Sequence, residues 1–349
     1  MSPESGFGFQ TVFGRDLIAE FPSILPRPYL VVTMQDLWPL FRHQFAEDCQ
    51  VHFVQSTEEK ILEAHLSTIG SIRAVVGLGG GQALDVAKYF AWRLGLRLFQ
   101  APTSLSVDAA FGHRAAVRVD GRVRYVGWAV PESVFIDYGV ISSAPKTVNR
   151  AGVGDVLCFY SGVLDWKYAQ KLGKAEARWP YREDLIRISL ENVNAVIANK
   201  KAIRDVTEEG IRVLANGLKW GGFSFLSSGW CPRHIEGFEH FFFYNLEYLT
   251  RKKFLHGQPV CLGVYIACLL HGERAEEMLA AIHEIGVDIR PEAMGVTWTD
   301  IEQTLASMRN YVTAENLWYG IAHEADIQLD FVDDLRVAIN RTYGAWAGD

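Results

Sequence analysis

The sequence predicts an open α/β domain built on a parallel sheet, followed by an all-helical domain. Short, nearly continuous apolar runs recur through the first half, at YLVVT (29–33), VHFVQ (51–55), AVVGLG (74–79), RLFQAPT (97–103) and SVFIDY (133–138). Amphipathic segments such as EEKILEAHLSTI (58–69) and LDVAKYFAWRLG (84–95) separate them. Apolar strands alternating with helices describe a parallel sheet covered on both faces. After about Asn149 the pattern changes: REDLIRISLENVNAVIANKKAIRD (182–205) and TEEGIRVLANGLKWGGFSFLS (207–227) carry apolar residues at helical spacing and no strand-like alternation. The stretch 299–327 continues that pattern, with Thr299 as the expected N-cap and Glu302 as its capping-box partner. We place the first domain at 1–147 and the second at 148–349, and expect a ligand in a cleft where domains meet.

Composition narrows the class. The formal charge is −7 and the 34 lysines and arginines are dispersed through the chain, which argues against a nucleic-acid surface. Five widely spaced cysteines, with no C-x-x-C pair, read as reduced thiols of a cytoplasmic protein. The opening MSPESGFGFQTVFG has neither the basic nor the apolar region of an export signal. No window offers the 18 uncharged apolar residues of a membrane span. A small-molecule partner is expected, with a homo-oligomer left open.

The first motif is GLGGGQALDVAK (77–88), which follows an apolar strand and opens a helix. Gly79, Gly80 and Gly81 therefore occupy a strand-to-helix turn, where bare N–H groups and the positive end of a helix can approach the pyrophosphate of a dinucleotide. Close helix–strand packing alone is the other reason for glycine there. Asp85 and Lys88, three apart, share one helix face. They form either a solvated ion pair or a pair of contacts, Asp85 to the nicotinamide amide and Lys88 to phosphate. Asp36, after the first of these strands, would repel a 2′-phosphate if it faces the ribose.

GGGQALDVAK resembles the G-G-G-x-x-x-D-x-A-K signature of the superfamily of iron-dependent alcohol dehydrogenases, glycerol dehydrogenases, glycerol-1-phosphate dehydrogenases and dehydroquinate synthases. Four more segments follow in the family's order. APTSLSVDAA (101–110) resembles the segment whose threonine and serine, here Thr103 and Ser104, contact the cofactor and whose aspartate, here Asp108, touches substrate. RAGVGDVLCFYSGVLDWKYA (150–169), GFEHFFFYNLE (237–247) and FLHGQPVCLG (254–263) resemble the segments that supply three metal ligands, here Asp155, His240 and His256. SSAPKTVNRAGVGD and the Asp165–Trp166 pair bring the chain nearest to the glycerol-1-phosphate dehydrogenase branch. The resemblance implies a Rossmann-like dinucleotide-binding domain and an all-α, dehydroquinate synthase-like metal-binding domain, with NAD(H) or NADP(H) and one divalent metal as cofactors.

One carboxylate and two imidazoles leave an open coordination position, as catalytic sites do. That donor set suits zinc, iron, nickel or manganese, and the nearest branch points to zinc first. The expected reaction is hydride transfer between NAD(P)H and a small ketone, dihydroxyacetone phosphate giving sn-glycerol 1-phosphate. The metal acts as Lewis acid, and Asp108 bonds a substrate hydroxyl or, alternatively, caps a turn. His113, Arg114 and Arg233 are the candidate substrate contacts, arginine being suited to phosphate. The alternatives are a sugar-phosphate cyclase, and an alcohol or glycerol dehydrogenase acting on an unphosphorylated or specialised biosynthetic substrate. Three positions depart from the family pattern: Tyr244 replaces a histidine four after His240, Gln258 replaces the glutamate of H-G-E, and Ala109 replaces a glycine. The aromatics Phe241, Phe242, Phe243 and Trp230 suggest either a less polar pocket or ordinary core.

Overall fold

Among the described residues eight strands are present: β1 (Gln10–Gly14), β2 (Tyr29–Thr33), β3 (Gln50–Phe53), β4 (Ala74–Gly79), β5 (Arg97–Pro102), β6 (Ala115–Val119), β7 (Arg122–Val126) and β8 (Ser133–Asp137). Six of them form one parallel sheet in the order β1-β8-β5-β4-β2-β3. The computed structural model describes residues 8–325 and 327–346; residues 1–7, where an export signal would begin, lie outside the described residues. The chain divides into two compact units, Met1–Asn149 with Gly221–Phe223, and Arg150–Trp220 with Ser224–Asp349.

In the first unit the period-2 alternation of the strands sends side chains into two separate cores. Leu30, Val32 and Val75 pack on one face with Val86, Tyr89 and Phe90 of the helix Gly81–Leu94. Tyr29, Val31, Val76 and Leu78 pack on the other with Leu17, Ile18, Phe21 and Phe99. The order in which strands are added reverses between the parallel neighbours β4 and β2: β4 leads to β5 on one side and β2 to β3 on the other. Such a switch point opens a crevice beyond the carboxyl ends of the two strands, the usual ligand position of open α/β sheets. β1 and the antiparallel hairpin β6–β7 were not expected from the sequence. The hairpin turns at Asp120 and Gly121, both at positive φ (51° and 76°), the conformation of a two-residue type I′ turn.

The second unit is helical. Gly154–Lys171 and Gly257–His271 are buried along most of their length and apolar on nearly every side, as core helices are. Around them pack Glu183–Ala198, Lys200–Asp205, Phe238–Thr250, Ala275–Ile285 and Trp298–Ala314. Two expectations are corrected here. The stretch 182–205 is two helices, broken at Asn199, whose amide donates back to the Ala195 carbonyl (2.8 Å). The helix Trp298–Ala314 is capped by Thr297 and Asp300, two residues earlier than Thr299 and Glu302, and a further helix, Leu329–Tyr343, follows it. Asp300 N–H donates to Thr297 Oγ1 (3.2 Å), and Asp300 Oδ2 accepts from Thr297 N–H (2.7 Å). The helix begins at Trp298 because that residue is its first buried anchor. Among the described residues no helix is long and apolar enough to cross a membrane.

Candidate functional site

Asp155, His240 and His256 converge within the helical unit. Asp155 Oδ1 lies 2.8 Å from Nε2 of His256 and 3.7 Å from Nε2 of His240, and the three ligand atoms lie within 4.8 Å of one another. Those separations suit a single ion at the ~2.0–2.2 Å bonds that imidazole and carboxylate make to zinc. Asp155 stands in the first turn of Gly154–Lys171, His240 in the first turn of Phe238–Thr250, and His256 is the N-cap of Gly257–His271. Three helix starts meet here because glycines let their backbones touch. A Cβ on Gly257 would fall 1.7 Å from the Ala151 carbonyl oxygen, and one on Gly154 would fall 2.8 Å from Gly257 Cα. On Gly263 it would meet Glu239 Cα at 2.7 Å. The glycines beside the ligands are thus the condition for bringing them together.

Behind His240 stands a residue the sequence reading did not single out. Glu239 Oε1 accepts from His240 Nδ1 (3.0 Å) and from Gly237 N–H (2.7 Å), while its Oε2 accepts from Ser161 Oγ (2.7 Å). A carboxylate on Nδ1 fixes the tautomer that leaves the Nε2 lone pair facing Asp155, the usual support for a metal-bound histidine. Its signal was adjacency: Glu239 directly precedes the ligand in the quoted motif. Burial opposes a charge on His240, yet the hydrogen bond to Glu239 and the carboxylates of Glu236 and Asp155 outweigh it and hold its pKa up to about 9. Three carboxylates around two imidazoles make a pocket that attracts a cation. Cys158 also lies near Glu239 and His240, but its thiol donates to the Ile235 carbonyl (3.1 Å).

Gln258 is turned away, donating to the Asp288 carbonyl (2.8 Å), so Glu239 is the carboxylate that supports the ligands. Tyr244, one turn after His240, donates to Glu236 Oε1 (3.0 Å), and its ring lies 5.9 Å from the His240 ring. Burial pushes the Glu236 carboxyl above the usual carboxylate range, against the pull of His240. Of the four aromatics only Phe243 touches a ligand, edge-on to His256 at 4.6 Å. Phe241 and Phe242 are core, and Trp230 is exposed against Phe225.

In the α/β unit, Gly79 ends β4 with φ 150°, Gly80 is the N-cap, and Gly81 opens the helix. A Cβ on Gly81 would fall 2.8 Å from Val107 Cγ2. Thr103 N–H donates to the Gly79 carbonyl (3.0 Å), and both Thr103 and Ser104 are buried beside the turn. A Cβ on Gly79 would approach Leu37 at 3.6 Å, so the turn after β2, with exposed Asp36, neighbours the glycine turn. Asp85 and Lys88 are not a solvated pair. Both are buried, 2.8 Å apart, with Lys88 Nζ donating to the Arg114 carbonyl (2.7 Å) and Asp85 Oδ1 accepting from Ala116 N–H (3.1 Å). They tie the helix to the start of β6.

The substrate candidates separate. Asp108 opens a short 3-10 turn, Asp108–Ala110, as its first residue, the N-cap position being Val107. His113 is buried among Phe9, Trp128 and Phe223. Burial, then the Lys88 charge, lower its pKa to about 4, so it is neutral near pH 7. Arg114 donates to the Tyr125 carbonyl. Arg233 is corrected: it is fully buried, donating to the carbonyls of Tyr319 (2.6 Å) and Asp165 (3.3 Å), with Glu176 at 3.6 Å. With no exposed surface, and with Nη1 and Nη2 donating to main-chain carbonyls, it is neither a solvated loop residue nor a phosphate clamp. Asp165 is likewise structural, its carboxylate accepting from Phe238 N–H and Ile321 N–H (both 2.8 Å) and bonding His271 (3.0 Å).

Residues 40–145 match the model of a family described as iron-containing alcohol dehydrogenase. The glycerol-1-phosphate dehydrogenase [NAD(P)+] of Aeropyrum pernix is 32% identical over 252 residues, covering 72% of this chain and 69% of the relative. A probable glycerol dehydrogenase from Sinorhizobium meliloti superposes with a TM-score of 0.71 at 19% identity, over 95% of this chain and 96% of that one. The 2-epi-5-epi-valiolone synthase of Streptomyces hygroscopicus, solved with NAD+ and Zn2+ bound, superposes with a TM-score of 0.65 at 16% identity, over 95% and 97%. The two structures share the fold.

Proposed function

Because the chain belongs to the glycerol-1-phosphate dehydrogenase family of iron-containing alcohol dehydrogenases, we propose that it is an NAD(P)-dependent oxidoreductase reducing dihydroxyacetone phosphate to sn-glycerol 1-phosphate. The observation that carries this reading is the convergence of Asp155, His240 and His256 with Glu239 locked behind His240. A divalent cation, zinc in the first place, supplies Lewis acidity to the carbonyl oxygen when bound there. Asp155, His240 and His256 hold that ion and leave a coordination position open. Gly79, Gly80 and Gly81 present backbone N–H groups to the nucleotide pyrophosphate, and Thr103 and Ser104 border the same turn. Asp36, exposed in the turn after β2 next to the glycine turn, would bond the ribose and repel a 2′-phosphate. Asp85 and Lys88 shape the nucleotide helix through their buried pair. Asp108 reaches the substrate. When bound there, the reduced nicotinamide would supply the hydride for the carbonyl carbon, and a proton drawn from solvent would complete the alcohol.

Zinc-reloaded protein, assayed with NADH and NADPH on dihydroxyacetone phosphate and on dihydroxyacetone, tests this. The expected outcome is steady nucleotide oxidation, abolished by chelation, with the phosphorylated ketone preferred. Equal rates on both ketones overturn the phosphate assignment, and product formation without net nucleotide change identifies a cyclase instead.

A further inference from the structure

The helical unit holds a polar pair beside the ligands that the reaction as described leaves unused. Glu236 immediately precedes Gly237, the N-cap of the helix that carries His240. Tyr244 stands one turn beyond His240 on that helix and donates to Glu236 Oε1 at 3.0 Å, so the phenol fixes the carboxylate. Glu236 is half-buried, and its second oxygen has no hydrogen-bond partner among the described residues. The groups acting on it most strongly are His240, Glu239, Tyr244 and His256; no lysine or arginine is among them. An oriented, unengaged acceptor next to two imidazole ligands and a third carboxylate is the wrong partner for a phosphate and the right one for a neutral O–H donor.

Resting on the ketone-reduction reading above, we infer that Glu236, positioned by Tyr244, accepts the hydrogen bond of the substrate's free hydroxymethyl group. The phosphate end is then held elsewhere. A hydroxyl has one proton to donate, so Glu236 displaces Asp108 from the hydroxyl contact that the sequence suggested for it. A site built around a substrate hydroxyl disfavours the analogue that lacks it, because the acceptor is then left without its partner.

The test compares wild type with Glu236→Gln, Tyr244→Phe and Asp108→Asn, all reloaded with zinc and checked for equal zinc content. Each is assayed on dihydroxyacetone phosphate and on acetol phosphate, in which a methyl group replaces the hydroxymethyl group. In parallel, glycerol 1-phosphate and propane-1,2-diol 1-phosphate are titrated calorimetrically onto the zinc-loaded proteins. In wild type the hydroxyl-bearing member of each pair is expected to be favoured. Glu236→Gln should shrink that preference by roughly 10-fold or more, the worth of a hydrogen bond to a charged acceptor, and Tyr244→Phe by less, with acetol phosphate little affected. Parallel losses on both ketones overturn the inference, since they mean a general charge or folding role. So does a preference that moves only in Asp108→Asn, or wild-type binding that ignores the hydroxyl. Failure of wild type to turn over either ketone ends the ketone reading, while the binding titration still decides the hydroxyl contact.

Discussion

Arg233 carries a charge in the interior of the helical unit, where burial alone pulls its pKa down. Its Nη1 and Nη2 donate to the Tyr319 and Asp165 carbonyls, and the Glu176 carboxylate lies 3.6 Å from its Nε. Truncation to Arg233→Ala strands those carbonyls and leaves Glu176 without its partner, so it should destabilise the protein by about 3–5 kcal/mol. Urea or thermal unfolding reads this directly. The KM for dihydroxyacetone phosphate, measured at low temperature on the fraction still folded, should hold; a raised KM with unchanged stability would return Arg233 to the substrate. The proposed metal ligands were legible in the sequence through their combination, a carboxylate and two imidazoles in motifs that follow the family's order. Arg233 was not, because an arginine that grips phosphate and one that props up carbonyls look alike until burial tells them apart. For Asp85 and Lys88 the spacing was readable, and the desolvation that removes the solvated-pair alternative was not.

At the level of elements, the decisive contact is the crossing where Gly257 meets the chain just before Gly154. The clash that a Cβ on Gly257 would make is with a backbone carbonyl, which cannot swing aside as a side-chain tip can. Gly257→Ala should therefore push the two helix starts apart, costing about 1–3 kcal/mol of stability. It should also weaken zinc binding by about 10-fold or more, the scale on which disturbed ligand support is felt. Competition with a chromophoric chelator measures the second effect; unchanged zinc affinity would show that the crossing is not what sets the ligand geometry. The sequence disclosed both glycines as parts of motifs but not their partners, since contacts so distant along the chain leave no local periodicity. The central strands were readable because burial on both faces demands continuous apolar runs. β1 at the sheet edge is only partly buried and lacks that signature. The β6–β7 hairpin did carry a signal, Asp120-Gly121 between alternating residues, which the expectation of strand–helix alternation passed over. The cap at Thr297 was placed two residues late because T-W-T-D offers two threonines, and only the burial of Trp298 chooses between them.

Across the whole molecule, several histidines are folded into the interior as neutral rings. Burial lowers the pKa of His52 to about 4, of His113 to about 4 with help from Lys88, and of His234 to about 3 with help from Arg182. In the unfolded chain all three titrate near 6.5. Between about pH 4 and 6.5 the unfolded state therefore binds more protons than the native one, and stability must rise with pH across that window. The contribution is complete above about pH 6.5 and is lost progressively as pH falls towards 4. Three such groups give a slope of about 4 kcal/mol per pH unit near pH 5. Carboxylates titrate there too, so the clean measurement is a difference. His113→Phe, which keeps an aromatic ring among Phe9, Trp128 and Phe223, removes one of the three protonation steps and leaves the rest. Urea unfolding at several pH values, with zinc held constant, should show the variant losing about one third of that slope while matching wild type more closely, or exceeding it, at pH 5. An unchanged slope would mean that the His113 ring is already protonated, or has water beside it, in the native protein.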